Sequence, residues 1–160
     1  MIRFIKSTEN KVVVTLTENS TVTNPYYLFQ FTNQSSNVNY YFIASDVSNF
    51  KERYNEFNIT ERFDANTLNG EVSLGEEGFY NYDIYQTSLS TLSGLSTASD
   101  AVNYITKTVE SGKVWVVPSN ATLPTYTGND TTMVIYNPSD YLLTESGVYL
   151  LQENGQLIEV

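Results

Sequence analysis

Hydrophobic and polar positions alternate with a period of two along most of the first 117 residues, the spacing that sends successive side chains to opposite faces of a strand. In KVVVTLTE (11–18), Val12, Val14 and Leu16 fall on one face while Val13, Thr15 and Thr17 fall on the other. EFNITE (56–61) alternates in the same way, with Phe57 and Ile59 together. IRFI (2–5), EVSL (71–74) and GFYNYDIYQ (78–86) read as further strands, with a turn at Leu68-Asn69-Gly70 before the second of them. YYLFQFTN (26–33) and VNYYFIAS (38–45) flank the polar stretch Gln34-Ser35-Ser36-Asn37, which predicts a hairpin by spacing and composition. Short strands at regular intervals with turn residues between them predict an antiparallel β-sandwich.

The rhythm breaks over residues 87–111. A Ser/Thr/Leu loop leads into Ala98, Ala101, Val102, Ile105 and Val109, whose three- and four-residue spacing predicts a short amphipathic helix held in a loop, with Gly112 as its stop. GKVWVVP (112–118) then reads as the last strand of the sandwich, ended by Pro118. The tail is different in texture. A turn-rich linker, SNATLPTYTGND, precedes TTMVIYNP (131–138) and the closing GVYLLQENGQLIEV, where Asn154-Gly155 between apolar-polar runs predicts a hairpin with a type I′ turn. Strands outside a closed sandwich need partners for their backbone groups. Adding them to the edge of an adjacent subunit, or completing the same domain, would bury Val148, Leu150, Leu157 and Ile158.

Composition removes whole classes of chemistry. The chain has no histidine and no cysteine, so disulfides, Cys/His zinc sites, thiol nucleophiles and imidazole-activated serines are excluded. With 8 basic against 18 acidic residues the formal net charge is −10. The few basic residues are scattered, which disfavours a nucleic-acid partner. MIRFIKSTEN does not read as a signal peptide, and no apolar run approaches the roughly 20 residues a membrane-spanning helix needs, so no membrane partner is expected. Five N-x-[ST] matches, at Asn19, Asn33, Asn58, Asn120 and Asn129, are what a chain this rich in Asn, Ser and Thr produces by chance, and carry no weight.

Three constellations deserve testing as sites. The run from Asp64 to Glu71 carries oxygens near a glycine, but the glycine and the twelfth position miss the EF-hand spacing, so an Asn-Gly turn is the better reading. Glu76, Glu77 and Asp83 are the candidate acid/base carboxylates, and nothing in their spacing makes them converge. The third is sugar stacking by the pairs Tyr26/Tyr27 and Tyr40/Tyr41, by Tyr80, Tyr82 and Tyr85, and by Trp115. Adjacent strand residues face opposite ways, so each Tyr-Tyr pair sends at most one ring to a common surface. No catalytic residue, metal or cofactor is predicted.

The succession KVVVTLTENSTVTNPYYLFQFTN, YYFIASDVSNFKERYNEFNITE, the G-F-Y-x-Y-x-I-Y strand and VESGKVWVV resembles small virion proteins of tailed phages infecting Bacteroidota, including the crAss-like phages. The likeness covers about residues 8–117 and leaves the tail uncovered. It implies a non-enzymatic structural component of the particle, in the tail and neck rings or in the capsid decoration. Such a protein is made in the host bacterial cytoplasm and resides in the virion, forming homo-oligomers and touching portal, tail, neck or capsid proteins. The expected architecture is mainly β: an immunoglobulin-like antiparallel sandwich over residues 1–117 with a short helix in a loop, and a β-hairpin extension over 118–160 acting as an assembly arm. On the aromatic strand, Tyr27, Phe29 and Phe31 would fill the core while Tyr26 and Leu28 meet a neighbour, together with Val102, Ile105 and Val109 of the loop. The alternative function is a carbohydrate-binding or host-receptor-binding sandwich.

Overall fold

A computed structural model of the chain describes residues 1–119. Its strands are β1 (Ile2–Ile5), β2 (Glu9–Val14), β3 (Tyr27–Asn33), β4 (Asn39–Ala44), β5 (Asn55–Glu61), β6 (Glu71–Val72), β7 (Gly78–Thr87) and β8 (Ile105–Val117). They form a five-stranded sheet in the order β1-β8-β7-β3-β4 and a three-stranded sheet in the order β2-β5-β6. The run β8-β7-β3-β4 opposite β2-β5 has the strand logic of an immunoglobulin-like sandwich, so the expected fold class is the observed one. Two pairings depart from an all-antiparallel scheme, because β1 runs parallel to β8 and β6 runs parallel to β5. The predicted carboxyl-terminal hairpin, with Val148, Leu150, Leu157 and Ile158, lies outside the described residues.

The core forms between the sheets because period-two strands deliver their apolar residues to one side. Val12, Val14 and Leu16 are buried, as are Phe57 and Ile59, whereas Val13 remains half exposed on the other face. Tyr27, Phe29 and Phe31 of β3 all belong to the main core. They sit beside Phe42 of β4 and Tyr82 and Ile84 of β7, which the antiparallel registers Phe29↔Phe42, Phe29↔Ile84 and Phe31↔Tyr82 bring alongside. The 34–37 turn closes the β3–β4 hairpin through the Asn37 N–H to the Asn33 carbonyl at 2.9 Å, with Asn37 at φ 56°. Asn tolerates that left-handed conformation better than other residues with a Cβ.

The predicted amphipathic helix is replaced by a 3₁₀ helix, Ala98–Tyr104, followed directly by β8. Ile105, Val109 and Gly112 are therefore strand residues. The four-residue spacing of Ile105 and Val109 does not put them on one face, because register shifts between Ile84/Tyr85 and between Gln86/Thr87 put bulges into the β7·β8 pair. A bulge inserts an unpaired residue and reverses the alternation. Val109 consequently reaches the main core while Ile105 packs on the opposite face of the sheet. Nor does Gly112 stop a helix. It faces Tyr82 across the strand pair, and a Cβ there would lie 2.7 Å from the tyrosine ring. Tyr82 lies over the glycine and donates to Glu110 Oε1 at 2.6 Å; burial, then the hydrogen bond and charge of Glu110, raise its phenol pKa strongly.

Two stability measurements check this packing. Phe29→Ala, which empties a fully buried ring site, should lower unfolding free energy by about 3–5 kcal/mol in denaturant titration, and Tyr26→Ala by less; the reverse order would put β3 one residue out of register. Gly112→Ala should destabilise by about 1–3 kcal/mol, the range for overpacking, and should become nearly neutral in a Tyr82→Leu background, where the obstructing ring is gone. Equal penalties in both backgrounds would mean that Tyr82 is not what limits the site.

Candidate functional site

The face of the five-stranded sheet turned away from the core carries side chains that are open to other molecules at one end. It divides into three zones along the strands. At the other end Leu28 and Ile43 form a second apolar cluster with Ala98 and Ala101 of the 3₁₀ helix, and Tyr26, Tyr41, Tyr85 and Ile105 pack around it. Leu89, Leu92 and Leu95 of the preceding loop complete the cover. The loop is fastened in place by the Ala98 N–H to Thr67 Oγ1 at 3.0 Å and the Ser88 N–H to the Tyr104 carbonyl at 2.9 Å. A capping box starts the helix, with Asp100 Oδ2 accepting from the backbone N–H groups of Ser96 and Thr97, each at 2.9 Å. Those two donors hold the Asp100 carboxyl below its ordinary value.

This cover corrects the expected interface. Leu28 does point away from the main core, but its own chain buries it completely, and Val109 is buried in the main core. Neither is available to a neighbour. Tyr26 and Ile105 are partly buried against the second cluster. Val102 alone among the predicted loop contacts is exposed, at 37 %, with Tyr104 beside it at 45 %.

The middle zone is polar. Tyr85 donates to Gln30 Oε1 at 2.9 Å, and Ser111 donates to Asp83 Oδ1. Burial, followed by the negative charge of Asp83, raises the Tyr85 phenol pKa. At the far end Phe79 and Trp115, direct cross-strand partners, stack at 6.2 Å between ring centroids with planes 21° apart. Arg3 neighbours Trp115 on β1. Asn81 pairs with Lys113 one step along and accepts from Gln34 Nε2 at 2.8 Å. Phe79 is 51 % exposed. The result is a flat apolar plane rimmed by a guanidinium, an ammonium and amides, able to stack on a planar or ring-shaped group and to hydrogen-bond at its rim.

The other sequence candidates are dispersed. Tyr27, Tyr80 and Tyr82 are core residues and Tyr40 packs against that core, so of the proposed sugar-stacking set Trp115 is the ring on the uncovered end of the face. Asp83 lies five residues along β7 from Gly78, roughly 17 Å at strand rise, while Glu76 and Glu77 precede that strand on an exposed turn. The pairing needed for glycoside chemistry is much shorter. Glu71 closes its own turn, accepting from the Asn66 N–H at 2.6 Å, and no group of three or more metal-ligating side chains occurs among the described residues. Phe79 escaped the sequence reading although its signal was present: with Tyr80, Tyr82 and Ile84 inward, alternation obliges Phe79 outward.

No protein-family model, no curated protein and no solved structure matches the chain. No helix among the described residues is long and apolar enough to cross a membrane.

The capping box gives a pH prediction. A carboxyl whose folded-state pKa is depressed stabilises the fold above its unfolded value, here 3.8, and loses that contribution as pH falls through the lowered folded value. The difference in melting temperature between the native chain and Asp100→Asn should thus be constant from pH 7 down to about 5 and narrow below 3.8. A gap that widens on acidification would show that the charge of Asp100 is not what fastens the loop.

Proposed function

We propose that the chain is a non-enzymatic structural component of a tailed-phage particle, working through oligomeric β-sandwich contacts in the tail or neck rings or in the capsid decoration. The resemblance of residues 8–117 to small virion proteins supports this assignment. One structural observation carries the building-block reading: the aromatic strands spend their rings inside the sandwich, with Tyr27, Phe29, Phe31, Phe42, Tyr80 and Tyr82 in one core. Aromatics used this way stiffen a module instead of lining a groove. The contacts then fall to what is left outside, among it the Phe79–Trp115 plane, the pair Val102 and Tyr104, and the exposed rings of Phe50 and Phe63. The partners are other copies of the chain and portal, tail, neck or capsid proteins, in the virion.

A second reading, a carbohydrate- or host-receptor-binding module, is favoured by the Phe79–Trp115 plane itself, since stacked rings flanked by Asn81 and Lys113 also suit a sugar face.

Gradient-purified particles probed with an antibody to the chain separate the two. The structural reading expects the chain to stay with the particles through a high-salt wash and Trp115→Ala to weaken its incorporation by about 2 kcal/mol, the scale of an interface anchor, without lowering its melting temperature. Its absence from washed particles would overturn the assignment, and saturable binding of the isolated chain to a glycan array would put the second reading in its place.

A further inference from the structure

The edges of the two sheets are not equally protected. On β4 the Ile43 N–H donates to the Thr67 carbonyl at 2.8 Å and the Ile43 carbonyl accepts from Gly70 at 2.7 Å, so a turn caps one end of that edge. On β1 the Asn10 side chain serves the same purpose, with Oδ1 accepting from the Ile5 N–H at 2.7 Å and Nδ2 donating to the Ile5 carbonyl at 2.9 Å. β2 has no such cover. It is the outer strand of the three-stranded sheet, and β1, which might have lain beside it, pairs with β8 instead.

Which groups of β2 are open follows from β5. The Glu61 N–H donates to the Thr8 carbonyl at 3.0 Å, which fixes Thr8 and then Asn10, Val12 and Val14 as the residues turned toward β5. The intervening β5 residues bond the other way, Thr60 N–H to the Gly70 carbonyl and the Glu56 carbonyl to the Val47 N–H. Alternation therefore aims the N–H and C=O groups of Glu9, Lys11 and Val13 outward, and none of the six has a hydrogen-bond partner among the described residues. The side chains above this edge are quiet: Lys11 is paired with Glu56 at 2.8 Å, whose carboxylate raises the lysine pKa, and Val13 is apolar and 54 % exposed. A six-residue edge with its backbone groups unspent is a template for one more strand.

We propose that the outer edge of β2 accepts, strand to strand, the carboxyl-terminal segment 147–160 of a second copy of this chain. The inference rests on the assembly reading above and supplies its contact surface. The segment carries the hairpin signal and the alternating Val148 and Leu150. The chain before this segment is long enough to reach a second copy and longer than the chain's own edge requires. The chain leaves the sandwich beside β1, where the Lys6 N–H donates to the Val117 carbonyl at 2.9 Å, three residues before β2 begins. A short turn would suffice to reach the chain's own edge. Instead residues 118–146 intervene, of which the turn-rich stretch 118–130 alone can span up to roughly 43 Å, farther than the roughly 35 Å across a domain of this size.

Hydrogen exchange on the full chain, read amide by amide at low and high protein concentration alongside light scattering, tests this directly. The expected result is that Glu9, Lys11 and Val13 become protected as the chain self-associates, while Asn10, Val12 and Val14 are protected throughout. Val13→Pro removes one outward N–H without touching the bonds to β5, and should raise the self-association constant for dissociation roughly tenfold, as should Leu150→Asp in the tail. If Val13→Pro melts early, Leu150→Asp and the exchange data decide. Protection of Glu9, Lys11 and Val13 in a monomer at every concentration would assign the edge to the chain's own tail and overturn the proposal. Self-association that leaves these amides exchanging freely would overturn it too, while leaving the structural role intact with another contact surface. Absence of the chain from purified particles, in contrast, would remove the structural role whatever the edge does.

Discussion

Everything in this sandwich depends on Phe57 reaching across from the three-stranded sheet into the aromatic row of β3. Its ring meets Phe29 edge-on at 5.0 Å and 76°, and Tyr27 at 5.9 Å and 87°. Phe29 in turn lies flat against Phe42 at 5.0 Å and 8°, and Phe31 is wedged between Phe4 and Phe42, edge-on to both. Rings packed at these angles gain quadrupole attraction beyond their buried area. They also lock the register, since sliding β3 by one residue would turn all three of its core rings out to solvent. Once Tyr27, Phe29 and Phe31 are inside, Tyr26, Leu28, Gln30 and Thr32 must be outside, and the apolar members of that set need a cover. The loop with Ala98 and Ala101 exists to meet that need, so its folding is a consequence of the core's aromatic geometry.

Polar residues close what the rings leave open. Gln86 is fully buried, its Oε1 accepting from the Thr21 N–H at 2.7 Å and its Nε2 donating to Thr106 Oγ1 at 2.9 Å, which ties the segment before β3 to β7 and β8. Asn55 does the same for the end of β2, accepting from the Leu16 N–H at 2.8 Å and donating to Asp46 at 2.8 Å. Glu61 accepts from the Ser7 N–H at 2.7 Å and from the Leu74 N–H at 3.2 Å. No buried side-chain polar atom among the described residues lacks a partner. Such clips replace at the loops the function that disulfides serve in many small sandwiches, because a satisfied buried amide or carboxylate specifies one loop path and penalises every other.

The strands were legible in the sequence because each has one buried face, and burial on one side of a pleat writes itself as alternation; Val12, Val14, Phe57 and Ile59 are cases in point. The 34–37 hairpin was legible because its connection is local. What depends on distant partners was not. β1 pairs with β8 across more than a hundred residues, and nothing in IRFI names that partner. The bulges after Ile105, which send Ile105 and Val109 to opposite faces, are set by pairing with β7, so the four-residue spacing of these two residues reads in sequence as helical. Leu28 shows the deeper limit. Alternation correctly turned it away from the main core, but an outward leucine looks the same in sequence whether another subunit or the chain's own loop will cover it.

On the proposed self-assembly, charge explains why a backbone edge would suit this molecule better than a side-chain patch. Two copies carrying a formal −10 each repel at distances within the Debye length of about 8 Å at physiological ionic strength. A contact relying on surface ion pairs would have few cations to draw on, with 8 in the whole chain and Lys11 already committed to Glu56. Backbone N–H and C=O groups carry no net charge, are directional, and lose little to screening. The edge of β2 thus offers directional contacts that need no ion pairs, while the Phe79–Trp115 plane, with Arg3 and Lys113 at its rim, is a part of the described surface where apolar area and positive charge coincide. The two surfaces belong to different sheets, so a strand seated on one would leave the other uncovered.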